Sequence, residues 1–200
     1  WTGNPVRPEI LAIRGQPFPP LDDAGPIEIL VVGGSQGAAI FSTAVPAALA
    51  SLPPALRSRL RITQQCRKES IEKARKRYEE AEISATLSTF FDDIPLLLAA
   101  AHLVICRAGA STTAELTSAG RPAILVPYPH AIDDHQTINA ARLCDSGGAW
   151  MIPDRDFSPD ALAARLVALL SMESTLEMAG RCAAKVGMPE ATARLADVIA

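Results

Sequence analysis

The sequence predicts an α/β fold in which helices cover both faces of a doubly wound, Rossmann-like parallel sheet. Short aliphatic runs alternate along the chain with segments in which apolar residues recur at helical spacing. Apolar residues make up 48% of the 200-residue chain and aromatic residues only 4%, which suits a core of Ala, Leu, Ile and Val. Strands that alternate with helices pair in parallel, because a right-handed crossover returns the chain to the same end of the sheet.

The first predicted unit is a strand, a glycine turn and a helix. The aliphatic run Ile27–Val32 is the strand, and two glycines close it. An apolar-rich helix follows over residues 38–52, interrupted near its middle by Pro46. Residues 1–26 precede this unit and are rich in proline, so they are expected to be extended loop or linker.

Strands and helices then alternate to the end of the chain. The alternation of period between two and 3.6 predicts further strands near residues 61–65, 83–87, 103–106, 123–126 and 149–152. Helical periodicity predicts helices over residues 70–81, 94–101, 111–119 and 136–146, with more helix from Pro159 onward.

The composition of the whole chain argues against several classes of protein. The net charge of −3 and the pI near 5.6 give no broad basic surface for nucleic acid. The four cysteines lie far apart and are expected to be reduced thiols, mostly buried. No apolar run reaches the roughly 18 residues of a membrane-spanning helix, and the first residues given show no basic stretch followed by an apolar region of the kind found in signal peptides. Because the chain begins at Trp1 in a linker-like segment, we expect a fragment of a longer protein.

Ligands of doubly wound sheets bind at the carboxyl ends of the strands, so a site is expected in the turns there. The first turn, residues 33–37, places Ser35 and Gln36 among three glycines. Its backbone could approach a phosphate at the start of the next helix. A plain strand-to-helix turn would explain the same pattern, because short glycine motifs often occur by chance.

The turn after residues 103–106 carries a stronger pattern. It leads from Arg107 into a helix whose first turn is small and hydroxylated, so backbone amides and the hydroxyls of Ser111 and Thr112 would face a diphosphate. Glu115 lies about 6 Å beyond Ser111 along the helix axis and could accept both hydroxyls of a ribose. The alternative is that Ser111 caps the helix and Glu115 is a first-turn acid, with no ligand involved.

Polar residues are also dense around the following turn, residues 127–139. Gln136 and Asn139 are three apart and share a helix face, where their side-chain amides suit the hydroxyls of a sugar. The nearby histidines and aspartates match no strong pattern of metal ligands, so no metal site is expected.

Together these motifs resemble the MurG family, whose members transfer N-acetylglucosamine from UDP to the undecaprenyl-linked muramoyl-pentapeptide of peptidoglycan synthesis. The motifs that carry the resemblance are residues 2–7 (TGNPVR), 33–38, 107–115 and 134–140. The resemblance implies the C-terminal lobe of a type B glycosyltransferase fold. Residues 1–26 would be the interdomain linker and residues 27–200 the UDP-sugar donor domain, with the N-terminal acceptor domain absent from this chain.

The resemblance also implies a role for particular residues. The backbone at Phe91, with Arg7 nearby, would recognise uracil, and Glu115 would hold the ribose. Arg107 would help to stabilise the negative charge on the departing UDP, and the general base is expected on the missing lobe. The implied donor-binding residues are Arg7, Ser35, Gln36, Phe91, Ser111, Thr112, Glu115, His135, Gln136 and Asn139.

The implied reaction is an inverting hexosyl transfer that needs neither a cofactor nor a bound metal. The parent enzyme would lie peripherally on the cytoplasmic face of the bacterial inner membrane and serve cell-wall biogenesis, cell shape and cell division. It would meet the membrane surface and the lipid-linked acceptor chiefly through the missing lobe. The chain alone is therefore expected to bind UDP-N-acetylglucosamine without turning it over.

Three alternatives remain open from the sequence. The first is a lobe of a UDP-sugar 2-epimerase, and the second is a non-catalytic module that binds nucleotide sugars. The third is a dinucleotide-binding dehydrogenase, which is disfavoured because residues 33–37 lack a complete G-x-G-x-x-G pattern.

Overall fold

A parallel sheet of six strands organises the fold. The computed structural model describes residues 2–22, 24–34, 39–172 and 174–199. In this part of the chain the strands are β1 (Ile27–Val32), β2 (Leu60–Gln65), β3 (Ser84–Ser88), β4 (Leu103–Cys106), β5 (Ala123–Leu125) and β6 (Ala149–Met151). They lie in the order β3-β2-β1-β4-β5-β6, and every neighbouring pair is parallel. The predicted doubly wound sheet is confirmed.

Helices connect the strands and cover the sheet. In chain order they are α1 (Pro8–Leu11), α2 (Ala39–Ala50), α3 (Pro54–Arg57), α4 (Ile71–Glu80), α5 (Ile94–Ala100), α6 (Ala110–Ala119), α7 (His135–Asp145), α8 (Pro159–Leu170), α9 (Thr175–Val186) and α10 (Ala191–Ile199). Short 3₁₀ turns lie at Lys68–Ser70, Ile132–Asp134 and Asp154–Asp156. None of the described helices is both long and apolar enough to cross a membrane.

Alternate residues of the central strands β1, β4 and β5 pack against different helix layers. In β1, Ile29 and Val31 belong to a core shared with α2, α4 and α8, whereas Leu30 belongs to a core shared with α1, α5, α6 and α7. Each of these three side chains is at most 1% exposed, a burial that stabilises by roughly 1.5–3 kcal/mol per side chain. Burial on both faces explains why residues 29–32 are a continuous aliphatic run and not an alternating one.

Pro46 lies inside α2 without interrupting it. The helix runs unbroken from Ala39 to Ala50, and Pro46 is buried. Proline has no N–H to donate to the carbonyl four residues earlier, so one helical hydrogen bond is missing. Because α2 packs along α8 and α4, tertiary packing holds the helix together, and the predicted interruption at Pro46 is wrong.

The N-terminal segment contains more structure than the predicted extended loop. Pro8 opens the short helix α1, where its missing N–H costs nothing. Ile10 is completely buried, and Val6 and Ile13 join it in the same core cluster. Helix α1 packs against α6, so the prediction of extended loop is wrong for residues 8–11.

The end of this segment is also attached to the domain. His102 on the loop before β4 donates its Nε2–H to the Pro20 carbonyl, with 3.1 Å between the two atoms. The ring of Phe18 lies edge-on to the His102 ring, with centroids 5.9 Å apart. These contacts hold residues 18–20 against the sheet. The assignment of residues 1–26 as an interdomain linker remains a prediction.

All four cysteines are free thiols. Cys66 and Cys106 are buried, while Cys144 and Cys182 are half-buried. Burial raises the pKa of the Cys106 thiol to about 12, so this thiol stays protonated and unreactive near neutral pH.

Candidate functional site

The carboxyl ends of the strands meet along one edge of the sheet. Val32 at the end of β1 pairs with Cys106, and Cys106 pairs with Leu125. On the other side, Gln65 pairs with Ser88. The strand order reverses between β1 and β4, where neighbouring crossovers leave in opposite directions and open a crevice. The strand ends at which a site is expected therefore lie along one edge of the sheet.

Helix α6 begins at this crevice with backbone amides that have no acceptor within the helix. Its N-cap is Gly109, which has no side chain to cap it. The first helical bond runs from the Thr113 N–H to the Gly109 carbonyl at 2.9 Å, which leaves the N–H groups of Ala110, Ser111 and Thr112 free of helical acceptors. These groups carry the positive end of the helix dipole and suit a phosphate.

The start of α6 bears on the capping interpretation of Ser111. The helix begins at Ala110, so Ser111 is its second residue and Glu115 lies beyond its first turn. An N-cap side chain precedes the first helical residue, so the alternative in which Ser111 caps the helix is wrong. The Ser111 side chain is exposed and Thr112 is half-buried, and both lie on the same turn as the free amides.

Glu115 and Arg7 form an ion pair across the site. Arg7 Nε donates to Glu115 Oε1 at 2.8 Å, with side-chain exposures of 49% and 18% respectively. One helical turn earlier, Asn4 Nδ2 approaches Ser111 Oγ at 3.5 Å. The N-terminal segment therefore runs alongside α6 and brings together two of the predicted donor-binding residues, 108 positions apart in the chain.

Gln136 and Asn139 both bind the peptide groups of Ala108. The side-chain oxygen of Gln136 accepts the N–H of Ala108 at 3.2 Å and the N–H of Tyr128 at 2.9 Å. The Nδ2 of Asn139 donates to the Ala108 carbonyl at 3.0 Å. The shared helix face predicted for Gln136 and Asn139 is confirmed, and that face is turned toward the turn that precedes α6.

His135 lies at the exposed start of α7. Its Nδ1 lies 2.7 Å from the Ile132 carbonyl. The two residues before it, Asp133 and Asp134, adopt left-handed backbone with φ of 51° each, which short polar side chains tolerate best after glycine. Thr137 Oγ1 donates to Asp134 Oδ1 at 2.6 Å and so ties this turn to the helix.

Arg107 is held inside the rim. One of its guanidinium nitrogens lies 2.5 Å from Asp154 Oδ1 and also donates to the carbonyls of Val126 and Pro127. The guanidinium carbon lies 5.3 and 5.4 Å from the ring centroids of Phe41 and Tyr128, within cation–π range. The side chain is only 14% exposed. Its charge is therefore shared with Asp154, a partner that the sequence pattern did not predict.

The turn after β3 contains the predicted uracil-binding residue, Phe91. Phe91 is half-buried, whereas its neighbour Phe90 is 67% exposed. The Ser88 hydroxyl shapes this turn, because it donates to the Phe90 carbonyl at 2.6 Å and accepts the Phe90 N–H at 3.2 Å.

Gln65 is a site residue that sequence reasoning missed. Its side-chain oxygen accepts the Gly33 N–H at 3.2 Å, and its nitrogen donates to the Thr89 carbonyl at 3.2 Å. This buried amide joins the turns after β1 and β3 from the end of the strand between them. The available signal was a polar amide as the last residue of a buried strand, where an unpaired amide would be costly.

The first glycine turn is described only in part. Gly34 has a φ of +82° with nothing within 4 Å of the place where a Cβ would lie, so conformation, and not space, requires glycine there. Ser35 and Gln36, the donor-binding residues predicted in this turn, lie outside the described residues.

A cavity of about 370 Å³ lies between α6, α7 and the N-terminal segment. Asn4, Ala110, Thr113 and Asn139 are among its lining residues. Its size falls within the usual range for small-ligand sites. Across the described parts of the chain, no three His, Cys, Asp or Glu residues cluster in a way that could hold a metal ion.

Comparison with known proteins gives one family for most of the chain. The family model described as "Glycosyltransferase family 28 C-terminal domain" matches residues 28–195. The crystal structure of Acinetobacter baumannii MurG superposes with a TM-score of 0.78 at 35% identity, covering 87% of this chain and 49% of that chain.

Two curated relatives cover nearly the whole chain. A protein of Granulibacter bethesdensis is 57% identical over 198 residues, 99% of this chain and 52% of the relative. One from Paramagnetospirillum magneticum is 56% identical over 198 residues, 99% of this chain and 53% of the relative. Both are named UDP-N-acetylglucosamine--N-acetylmuramyl-(pentapeptide) pyrophosphoryl-undecaprenol N-acetylglucosamine transferase. This chain thus spans about half the length of the curated relatives it matches.

Proposed function

Because the chain belongs to the family of glycosyltransferase family 28 C-terminal domains, we propose that it binds the sugar donor of a MurG-type N-acetylglucosaminyltransferase. The donor is UDP-N-acetylglucosamine, and the acceptor is the undecaprenyl-linked muramoyl-pentapeptide. The names of the relatives with 56–57% identity support this choice. The family also favours a transferase over the epimerase, regulatory-module and dehydrogenase alternatives.

One observation carries the proposal: helix α6 presents free amides to the crevice beside a carboxylate. The amides of Ala110, Ser111 and Thr112 have no helical acceptor, and Glu115 lies one turn further along the same helix. A nucleoside diphosphate needs both features, because its phosphates are anionic and its ribose carries a diol. In this arrangement the diphosphate lies at the start of α6 and the ribose lies against Glu115.

The same groups serve the chemical step. When the acceptor hydroxyl attacks the anomeric carbon, negative charge builds up on the departing UDP. The amides and dipole of α6 are already oriented toward that charge and need no reorganisation to stabilise it. Arg107 supports the rim from the end of β4, but Asp154 neutralises part of its charge, so the α6 amides contribute the larger share.

The remaining elements of the reaction belong to the rest of the enzyme. In the proposed arrangement residues 1–26 link the two lobes and residues 27–200 form the donor domain. The general base, the acceptor site and the contact with the cytoplasmic face of the bacterial membrane lie on the other lobe. No cofactor or resident metal takes part, since the helix amides provide the stabilisation of the leaving group.

Calorimetric titration of this chain tests the proposal. UDP-N-acetylglucosamine, UDP-glucose and NAD are compared for the wild type and for Glu115→Ala and Gln136→Ala. We expect preferential binding of UDP-N-acetylglucosamine, weakened by both substitutions. Binding of NAD in preference to both UDP-sugars, or no binding of UDP-sugars by the folded chain, would overturn it.

A further inference from the structure

The sequence predicted sugar contacts for Gln136 and Asn139 of α7. In the structure both side chains form hydrogen bonds with backbone groups at the rim. Gln136 accepts the N–H of Ala108 and the N–H of Tyr128, and Asn139 donates to the Ala108 carbonyl. The peptide groups on both sides of Ala108 are therefore held from α7. Ala108 itself is completely buried, so water does not compete for these groups.

The chemistry of the amide limits what Gln136 can do for a sugar. A side-chain carbonyl oxygen has two lone pairs, and both are used by the N–H groups of Ala108 and Tyr128. Gln136 therefore has no remaining acceptor capacity for a sugar hydroxyl. Its side-chain nitrogen can still donate, so any contact with the sugar is one in which Gln136 is the donor.

Because of the position of Ala108, its hydrogen bonds with Gln136 and Asn139 affect the amides that would bind the phosphates. Ala108 immediately precedes Gly109, the N-cap of α6, and lies two residues before the first free amide at Ala110. A shift of the Ala108 peptide would move or tilt the three amides that face the diphosphate. Groups that stabilise charge act best when their own positions are fixed beforehand.

We propose that Gln136 and Asn139 are positioning residues for the diphosphate site, which they control by clamping the Ala108 peptide against α7. This inference rests on the proposed function, because it requires a nucleoside diphosphate at the start of α6. This positioning role differs in one respect from direct hydrogen bonding to the sugar. The clamp acts on every ligand that carries the diphosphate, whether or not a sugar is attached.

A series of three ligands separates the two roles. Binding of uridine, UDP and UDP-N-acetylglucosamine is measured for the wild type, Asn139→Leu and Gln136→Met. The affinity for uridine is obtained from its competition with UDP. Asn139→Leu is close in size but cannot donate to the Ala108 carbonyl, and Gln136→Met cannot accept either N–H. Ile138→Ala is the matched control, because Ile138 lies between them on α7 and its side chain is 58% exposed.

We expect both substitutions to lower the affinities for UDP and UDP-N-acetylglucosamine by the same factor, about tenfold for the loss of such hydrogen bonds. Their affinity for uridine should stay unchanged, and the control variant should bind all three ligands as the wild type does. Loss confined to UDP-N-acetylglucosamine would overturn the inference in favour of sugar contacts alone. Equal loss for all three ligands would overturn it in favour of a general structural effect. Failure of the wild type to bind any uridine ligand would instead contradict the proposed function.

Asn139→Asp provides a second measurement if either larger change prevents folding. It keeps the shape of the side chain and replaces the donor to the Ala108 carbonyl by an acceptor. UDP affinity should fall relative to uridine affinity, as in Asn139→Leu. An unchanged ratio of the two affinities would contradict the clamp.

Discussion

At the residue scale, Glu115 is the carboxylate that we propose to bind the ribose, and Arg7 Nε lies 2.8 Å from its Oε1. The ion pair leaves the second oxygen as an acceptor and restricts the orientation of the side chain. Because the Arg7 side chain is about half exposed, solvent screens the pair, and its own contribution to stability is small. The ion pair matters chiefly because it fixes the orientation of the Glu115 carboxylate.

Removing the charge of Glu115 should abolish the recognition of the ribose hydroxyls. The wild type is expected to bind UDP at least about tenfold more tightly than 2′-deoxy-UDP, since hydrogen bonds to a charged group contribute roughly 1.5–3 kcal/mol. Glu115→Gln should bind both ligands with similar, weaker affinity in calorimetry. Glu177→Gln, which removes a carboxylate paired with Arg181 on α9, is the matched control. A retained preference in Glu115→Gln would contradict the assignment.

We expect His102 to make the stability of the fold depend on pH. It is 3% exposed, and its Nδ1 accepts the Glu28 N–H at 2.9 Å while its Nε2 donates to Pro20. Burial lowers the pKa of His102, with Arg121 and Arg59 adding to the effect against the hydrogen bond to Pro20. The folded protein therefore holds the neutral ring, and protonation would remove the acceptor for Glu28.

The sign of the pH dependence follows from this lowered pKa. The stabilisation is complete above the unfolded pKa of about 6.5 and is lost as the pH falls through the lower folded value. The free energy of unfolding should therefore decline below pH 6.5, by at most about 1.4 kcal/mol per pH unit from this group. Urea titrations at a series of pH values give the free energy of unfolding. In His102→Gln this free energy should change less with pH than in the wild type, whereas His130→Gln, which alters an exposed histidine, should match the wild type. An equal dependence on pH in His102→Gln and the wild type would contradict this role of His102.

At the scale of the elements, helix α4 ends in a glycine motif that lacks its glycine. The Ile83 N–H binds the Tyr78 carbonyl and the Glu82 N–H binds the Glu79 carbonyl, the two bonds of a Schellman motif. The residue in the left-handed position is Glu82, with φ of 57°. A β-carbon in that conformation costs roughly 1–2 kcal/mol.

Glu82→Gly should therefore stabilise the protein. The gain is expected to be about 1 kcal/mol, because part of the relief is offset by the greater freedom of glycine in the unfolded chain. Glu82→Ala keeps the β-carbon and should bring no such gain, which separates backbone strain from loss of the charge. Denaturant unfolding of the three proteins measures the difference. Equal stability of the glycine and alanine variants would show that the conformation carries no strain.

At the scale of the whole molecule, the strands and most of the helices could be predicted because they have their own local signals. Aliphatic runs predicted the buried strands β1, β4 and β5, and the glycines after β1 placed a turn. The errors arose where tertiary contacts outweigh local preference. Pro46 stays helical because α2 packs along α8, and residues 8–11 form a helix because Ile10 enters the core.

The candidate site was predictable in its location but not in its connections. Strand ends, a small, hydroxylated helix start and the spacing of Glu115, Gln136 and Asn139 pointed to α6 and α7. The resemblance of the motifs added Arg7 and Phe91. The pairing of Arg107 with Asp154 joins residues 47 positions apart, and no local pattern reports such a contact. The same holds for Gln65, whose two partners lie on neighbouring turns.

In the proposed complex a UDP-sugar lies across the strand ends with its diphosphate at the start of α6. The measurement that tests it most directly is a titration of the isotope-labelled chain with UDP, followed by the backbone amide resonances in NMR. We expect the largest shifts at Ala110, Ser111 and Thr112, with smaller ones near Gly33 and Phe91 and none along α10. Saturable shifts that spare the start of α6, or no shifts at all, would contradict it.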